Sequence, residues 1–306
     1  MAYTTGDTIL DNHYNDFATS VNTIWGTGSS VRGYGQTSTV SSVSAGTTIT
    51  ATQWATLLNR IRSISDHQGN DASITVDTVT NPTAGNTISV FSTLSADIGT
   101  IDSSAATATN AAGFGTAITD TAALATSLTG TITQTNTLTF ASANQMRYGF
   151  NAGGKVEVSW SLSGGTSDDK YNNWVALATA CGTYQVLAQS SGKSGGSGST
   201  NINGTNFGWH DLTGSYQTVF RQYEDTGPYT ASYIQLDMYK TGGSVLLRSY
   251  WVDGAADQTS YNKSIYNVQD QVDGTKTTTF GHEEPTTTYI SDTWGDGPSQ
   301  TVNATG

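Results

Sequence analysis

Two stretches of this chain are built on one template. Tyr14, Phe17, Val21 and Ile24 step by 3, 4 and 3 residues, and Trp54, Leu57, Ile61 and Ile64 repeat those steps at an offset of 40 without a gap. That spacing puts four apolar side chains on one face of an α-helix. The lead-ins agree too: Gly6, Thr8 and Ile9 recur as Gly46, Thr48 and Ile49. A third copy fits residues 85–101, with Thr87-Ile88, then Phe91, Leu94, Ile98 and Ile101 at the same steps and a lead-in two residues shorter. Asp11 is placed to cap the first helix and Gly26 to stop it. Thr50 and Gln53 form a capping box for the second, Leu58 widens its stripe, and Gly69 follows its end. A helical stripe needs a neighbour. Three related helices therefore predict a small helical module over residues 1–102, the rival being that the stripes pack on other subunits. Between the first two copies, Gly33-Tyr34-Gly35-Gln36 reads as a turn with a packed tyrosine.

The chain then changes character. Residues 103–137 are Ala, Thr, Ser and Gly with one aromatic, Phe114, and read as a linker or extended arm. Within them, 131–139 alternates Thr with Ile, Gln, Asn and Leu, as a strand would. Of 22 Trp and Tyr residues, 17 lie after residue 140, so the main β core belongs to 138–306. Val156, Val158, Trp160 and Leu162 alternate with Lys155, Glu157, Ser159 and Ser161, a half-buried strand. Ile234, Leu236 and Met238 alternate likewise. Val245, Leu247 and Trp251 share one face of a further strand, opposite Leu246, Arg248 and Tyr250. Thr241-Gly242-Gly243 joins the last two as a hairpin. Strands are also expected at 183–189 and 215–223, a helix at 168–180 through Tyr171, Trp174, Leu177 and Ala178, and a Gly/Ser/Asn loop at 192–204. The fold class expected is α+β: a helical module, a linker, and a C-terminal antiparallel β-sandwich of jelly-roll type.

Charge and motifs exclude several functions. Lys and Arg total 12 against 24 Asp and Glu, with no basic cluster, so a surface that tracks nucleic acid is not expected. One Cys excludes a disulfide framework. No apolar run approaches the ~20 residues of a membrane span, and the first residues carry no signal-peptide pattern. His13, His67, His210 and His282 show no metal-ligand spacing, and Cys181 reads as a buried thiol, so no metal and no cofactor are expected. His282-Glu283-Glu284-Pro285 reads as a solvated turn, as does Glu224-Asp225 before Gly227-Pro228. Asp168-Asp169 and the stretch Asp292 to Asp296 match no calcium loop. A glycan-cleaving enzyme needs two carboxylates across a sugar bond. Glu157, Glu224, Glu283 and Glu284 are the only glutamates, and aspartates are too numerous to single out a pair. Trp209, Tyr229 and Trp294 are sugar-stacking candidates, though in strands such residues are more often core.

Three stretches carry a family resemblance. They are the Gly-Asp-Thr-Ile lead-in with its Gly-Thr-Thr-Ile repeat, the Gly33–Gln36 loop with the closing His67-Gln68-Gly69, and Thr139-Phe140-Ala141-Ser142-Ala143-Asn144-Gln145-Met146-Arg147-Tyr148-Gly149-Phe150-Asn151-Ala152-Gly153-Gly154. Together they resemble virion structural proteins of tailed bacteriophages, especially those of marine cyanobacteria. The resemblance implies a non-enzymatic particle component of tail, neck, fibre or capsid surface, assembled in the host cytoplasm. Its expected partners are other virion proteins and further copies of itself. No catalytic residue transfers. The expected packing residues are Tyr14, Phe17, Val21, Ile24, Trp54, Leu57, Ile61, Ile64, Arg147 and Tyr148, the last two following a turn and equally placed to brace a hairpin at 151–154 or to contact a partner. The alternatives are a fibre or spike that binds host-surface glycans, a polysaccharide depolymerase, and a surface-layer or filament subunit.

Overall fold

The computed structural model describes residues 10–69, 73–85, 92–107, 114–198, 202–203, 207–225, 229–255, 272–295 and 299–306. Gly6, Thr8, Ile9, Thr87, Ile88, Phe91, Gly227, Pro228, Asp296 and residues 199–201 and 204 of the Gly/Ser/Asn loop lie outside them. Helices combine with antiparallel sheets, the expected α+β class. The chain divides into two compact units of three segments each: Met1–Gly115, Asn144–Gly154 and Glu284–Gly295, and Thr116–Ala143, Lys155–Glu283 and Asp296–Gly306. This differs from the expected 1–102, 103–137 and 138–306.

The first unit contains α1 (Asp11–Trp25), α2 (Ala51–Gln68) and α3 (Leu94–Ser103). Its core joins Tyr14, Val21 and Ile24 of α1, Trp54, Leu57, Leu58, Ile61 and Ile64 of α2, and Leu94, Ile98 and Ile101 of α3, with Phe17 partly buried against them. The α1 and α2 stripes face each other: the Tyr14 and Trp54 rings meet edge to face at 5.3 Å, and Tyr14 donates to the Gln53 carbonyl at 3.2 Å. Each buried Leu or Ile side chain contributes roughly 1.5–3 kcal/mol over leaving it in water. The Thr50–Gln53 capping box is present, and Gly69 closes α2 in the left-handed conformation. Asp11 does not cap α1. Leu10 holds that position without a side-chain bond, and Asp11 sits in the first turn, where its charge suits the helix dipole.

Polar side chains and buried loop valines together order the loops of this unit. Asn15 and Asn22, two turns apart on α1, each bond both backbone groups of one loop residue, Val43 and Val40 respectively, at 2.8–2.9 Å. Asp97 on α3 accepts from the amides of Thr75 and Val76, both at 3.0 Å, and so caps a 3₁₀ turn at Thr75–Thr78. Arg62 on α2 donates to the carbonyls of Val76 and Val79.

The second unit holds two antiparallel sheets. One has the order β1 (Phe114–Leu124), β10 (Thr275–Pro285), β3 (Lys155–Ser163), β4 (Thr183–Val186), β5 (Ser191–Ser194). The other runs β11 (Ser299–Thr305), β2 (Thr131–Thr139), β9 (Ser244–Val252), β8 (Tyr233–Thr241), β7 (Gln217–Tyr223), β6 (Ile202–Asn203). Facing side chains of the two sheets touch. Trp160 of β3 stacks on Phe220 of β7 at 5.0 Å, and its indole N–H reaches Ser249 Oγ of β9 at 2.8 Å. Gln134 of β2 lies wholly buried in that layer with its bonds satisfied. It accepts from Trp251 at 2.9 Å and Thr278 at 2.5 Å, and donates to the carbonyls of Ala122 and Lys276. The helix α5 (Asp169–Cys181) packs beside β3, capped by the Asp168 carboxylate on the Tyr171 amide at 2.8 Å.

Three expectations need correction. The linker over 103–137 is instead the end of α3, all of β1 and most of β2, whose residues alternate between core and surface. Sparse apolar content suffices there because β2 lies between β11 and β9 and shares their core. Arg147 and Tyr148 follow no turn and brace no hairpin: they lie within α4 (Ala143–Asn151), and the chain turns at Gly153 into β3. His282 to Pro285 is no solvated turn but the end of β10, where Glu283 pairs with Lys155 and His282 is buried.

Candidate functional site

The residues the sequence singled out for packing all lie in the first unit. The eight stripe residues face its interior, so none is presented for docking. Arg147 donates to the carbonyls of Arg32 and Thr27 at 2.5 and 2.6 Å, and Tyr148 closes over Gly35. Around them the stretches of the resemblance form one polar knot. Gln68 donates to the Tyr34 hydroxyl at 2.7 Å and to the Ile101 carbonyl at 2.9 Å. His67 Nε2 lies 2.7 Å from the Ala152 carbonyl, which fixes Nε2 as the protonated nitrogen. Asn151 donates to Ser30 and Gly33 carbonyls. Gln36 exchanges bonds with the backbone of Ser291 at 2.7 and 2.9 Å. Tyr34 is fully buried, the packed loop tyrosine expected. Burial pushes its hydroxyl well above the ordinary tyrosine range, and burial lowers His67, partly offset by the Ala152 bond. These bonds tie residues 33–36, 67–68, 151–152 and Ser291 of the unit together, while His67 Nδ1 is buried without a partner.

Other chemical candidates resolve in the same direction. Cys181 is fully buried, and burial raises its thiol far from reactivity. Trp209, Tyr229 and Trp294, the stacking candidates, are buried. Asp168 caps α5, and Asp292 accepts from the amides of Trp294 and Gly295. Glu157 and Glu283 do approach each other on neighbouring strands, but Lys155 sits between them, 2.5 Å from one and 3.1 Å from the other. Among the described residues no group of three or more His, Cys, Asp or Glu could hold a metal ion, and no helix is long and apolar enough to cross a membrane.

One surface differs. The outward residues of β7, β8 and β9 make a face of tyrosines, polar groups and two arginines. Tyr216, just before β7, is exposed and meets Tyr239 edge-on at 4.5 Å. The Arg248 guanidinium lies 3.5 Å above the Tyr216 ring and 5.5 Å from that of Tyr250. Arg221 stacks over Tyr233 at 5.0 Å and donates to Gln235 at 2.7 Å. Gln235 and Thr218 both donate to Asp237 Oδ1, at 2.7 and 2.8 Å. Burial raises the Tyr216 and Tyr250 hydroxyls, with Arg248 opposing, so both stay protonated donors at neutral pH. Toward β2 the face continues as Thr133, Thr135 and Thr137, opposite Tyr250, Arg248 and Leu246. The alternation of Arg248 and Tyr250 with Leu247 and Trp251 marks them as outward. What the sequence did not signal is that Tyr216, Tyr239 and Tyr250 converge, because cross-strand register brings them together.

No family model, no curated protein and no solved structure matches this chain.

Proposed function

We propose that this protein is a structural component of a tailed-bacteriophage particle, in tail, neck, fibre or capsid surface. It works by packing against other virion proteins and copies of itself, without a reactive centre. Its second unit is read as a jelly-roll-like β-sandwich, supported by two antiparallel sheets with interlocking inner side chains.

The observation that carries the reading is the polar knot. Residues 33–36, 67–69 and the 147–152 part of 139–154 are distant in sequence and belong to the stretches that resemble phage structural proteins; the Gly-Thr-Thr-Ile lead-in lies apart from them. They meet in one hydrogen-bonded centre through Tyr34, Gln68, His67 and Asn151. Motifs that serve an architecture converge on its core in this way. Motifs that serve catalysis leave donors and acceptors open to a substrate. Because the helical stripes are internal, docking by the first unit uses its outer surface.

The test is location. Antibodies to the chain, applied to purified particles from lysed cultures, should label a fixed site, and quantitative mass spectrometry should return a constant multiple copy number. Absence from particles, with the chain recovered as a free monomer, would refute the proposal.

A further inference from the structure

Arg248 stands apart from every other described cation. Arg32 pairs with Asp102, Lys155 with Glu157 and Glu283, and Lys170 with Asp253. Arg60 donates to Ser38, Arg62 and Arg147 to carbonyls, Arg221 to Gln235, and Lys193, Lys240 and Lys276 to carbonyls. Arg248 alone among the described residues of its type makes neither a hydrogen bond nor an ion pair, and its Nε is buried without a partner. Aromatic rings hold it in place. Asp237 lies opposite in register, but its Oδ1 already accepts from Gln235 and Thr218. A guanidinium kept rigid, partly dehydrated and unpaired is prepared for an incoming carboxylate, which it can grip with two parallel bonds.

We infer that the outer face of β7, β8 and β9 binds an acidic oligosaccharide, a carboxylated sugar seated on Arg248 and neutral pyranose rings lying along Tyr216, Tyr239 and Tyr250. Three features select a sugar. Tyr216 is exposed and Tyr239 and Tyr250 are half-buried, so the face offers ring surface on which a pyranose can lie, where an apolar peptide anchor needs a pocket. Its rings lie beside the hydroxyl groups of Thr133 and Thr135, which match ring hydroxyls. The chain's net charge of −12 disfavours a dense polyanion such as nucleic acid, whereas one carboxylate between neutral sugars needs only Arg248, whose cross-strand neighbour Asp237 is already held by Gln235 and Thr218. The inference goes beyond particle membership and does not depend on it.

The probe is a hyaluronan decasaccharide, which alternates a uronic acid with a neutral amino sugar, titrated into the full-length chain by calorimetry. The same oligosaccharide with its carboxyl groups reduced to alcohols is the neutral arm. The carboxylated form should bind, and reduction should weaken it about tenfold or more, the range of a charge-assisted bond. Arg248→Gln should lose the same factor for the native sugar and nothing for the reduced one, while Tyr216→Ala should weaken both. Thermal unfolding of each variant shows whether the fold is retained, and Arg248→Lys, which keeps the charge, should recover part of the binding. Equal affinity for native and reduced sugar, no binding of either at millimolar concentration, or an Arg248→Gln variant that binds as the parent does would each overturn the assignment.

Discussion

Lys170 and Asp253 form an ion pair with no solvent contact: Nζ lies 2.7 Å from Oδ2, and both side chains are wholly buried. Asp253 Oδ1 also accepts from Ser232 Oγ at 3.3 Å and the Ala255 amide at 3.2 Å. At an effective dielectric near 20, two charges at that separation attract by about 6 kcal/mol. Removing both from water costs several kcal/mol per ion, so the intact pair adds little net stability. Breaking it is different. Lys170→Met keeps the length and volume of the stem but leaves a buried carboxylate with only two neutral donors. The expected cost is about 3–5 kcal/mol, seen in urea unfolding followed by tryptophan fluorescence. For a unit of this size that lowers the melting temperature by roughly 10 °C. The double variant Lys170→Met/Asp253→Asn removes the charge but keeps an oxygen for Ser232 and Ala255. It should recover most of the loss, to within about 2 kcal/mol of the parent. A single variant costing under 1 kcal/mol, or a double variant no better than the single, would show that uncompensated charge is not what the pair prevents.

Three further outcomes follow from named contacts. Burial holds His282 down at about 4, below its ordinary 6.5, so the fold binds only the neutral ring. Stability of the second unit should be full above pH 6.5 and fall toward pH 4 by about 1.4 kcal/mol per unit; His282→Phe, measured by urea unfolding across that range, should flatten the slope by one proton. Gly35 and Gly46 both have φ above +70°, but a Cβ at Gly35 would strike the Tyr148 ring whereas Gly46 faces open space. Alanine should therefore cost about 1 kcal/mol at Gly46 from backbone strain alone, and clearly more at Gly35, by thermal melts of the two variants. Thr50→Ala removes the α2 cap and should cost about 1 kcal/mol; an unchanged chemical-denaturation midpoint would count against the cap.

What could be read from the sequence was whatever repeats within one element. The 3-4-3 steps gave α1 and α2, and alternation gave β3, β8 and β9, because each signal needs only near neighbours in the chain. The helix α4 escaped because Gly149, Gly153 and Gly154 imitate a turn, although Ala143 to Arg147 contain good helix formers. The strands β10 and β11 escaped because Thr-rich segments with few apolar residues look like tails. β10 takes its burial from β3, with which it pairs residue by residue. The same limit applies to function. Trp209, Tyr229 and Trp294 drew notice as aromatics and are core. The tyrosines that share a surface are set there by the registers of β7 with β8 and β8 with β9, a long-range property that no local pattern encodes.

The scarcity of cations connects these observations. Loops made of Gly, Ser and Thr carry little apolar surface, so burial cannot hold them, and their carbonyls need donors. Long cationic side chains supply several donors each. Lys276 reaches the carbonyls of Thr126, Val272, Asp273 and Gly274, Lys193 those of Ala180, Ser197 and Gly198, and Lys240 those of Trp209 and His210. Cations committed to backbone leave the exterior to the acids, consistent with a net charge of −12. Like-charged copies repel beyond contact, with a screening length of about 8 Å at physiological salt. If copies pack on one another as proposed, the faces that meet must be close to neutral, and contact between copies should strengthen as salt rises. The Arg248 face follows the opposite rule. The proposed grip on a carboxylate should weaken with salt, so ionic strength would separate the proposed glycan binding from the proposed packing of copies.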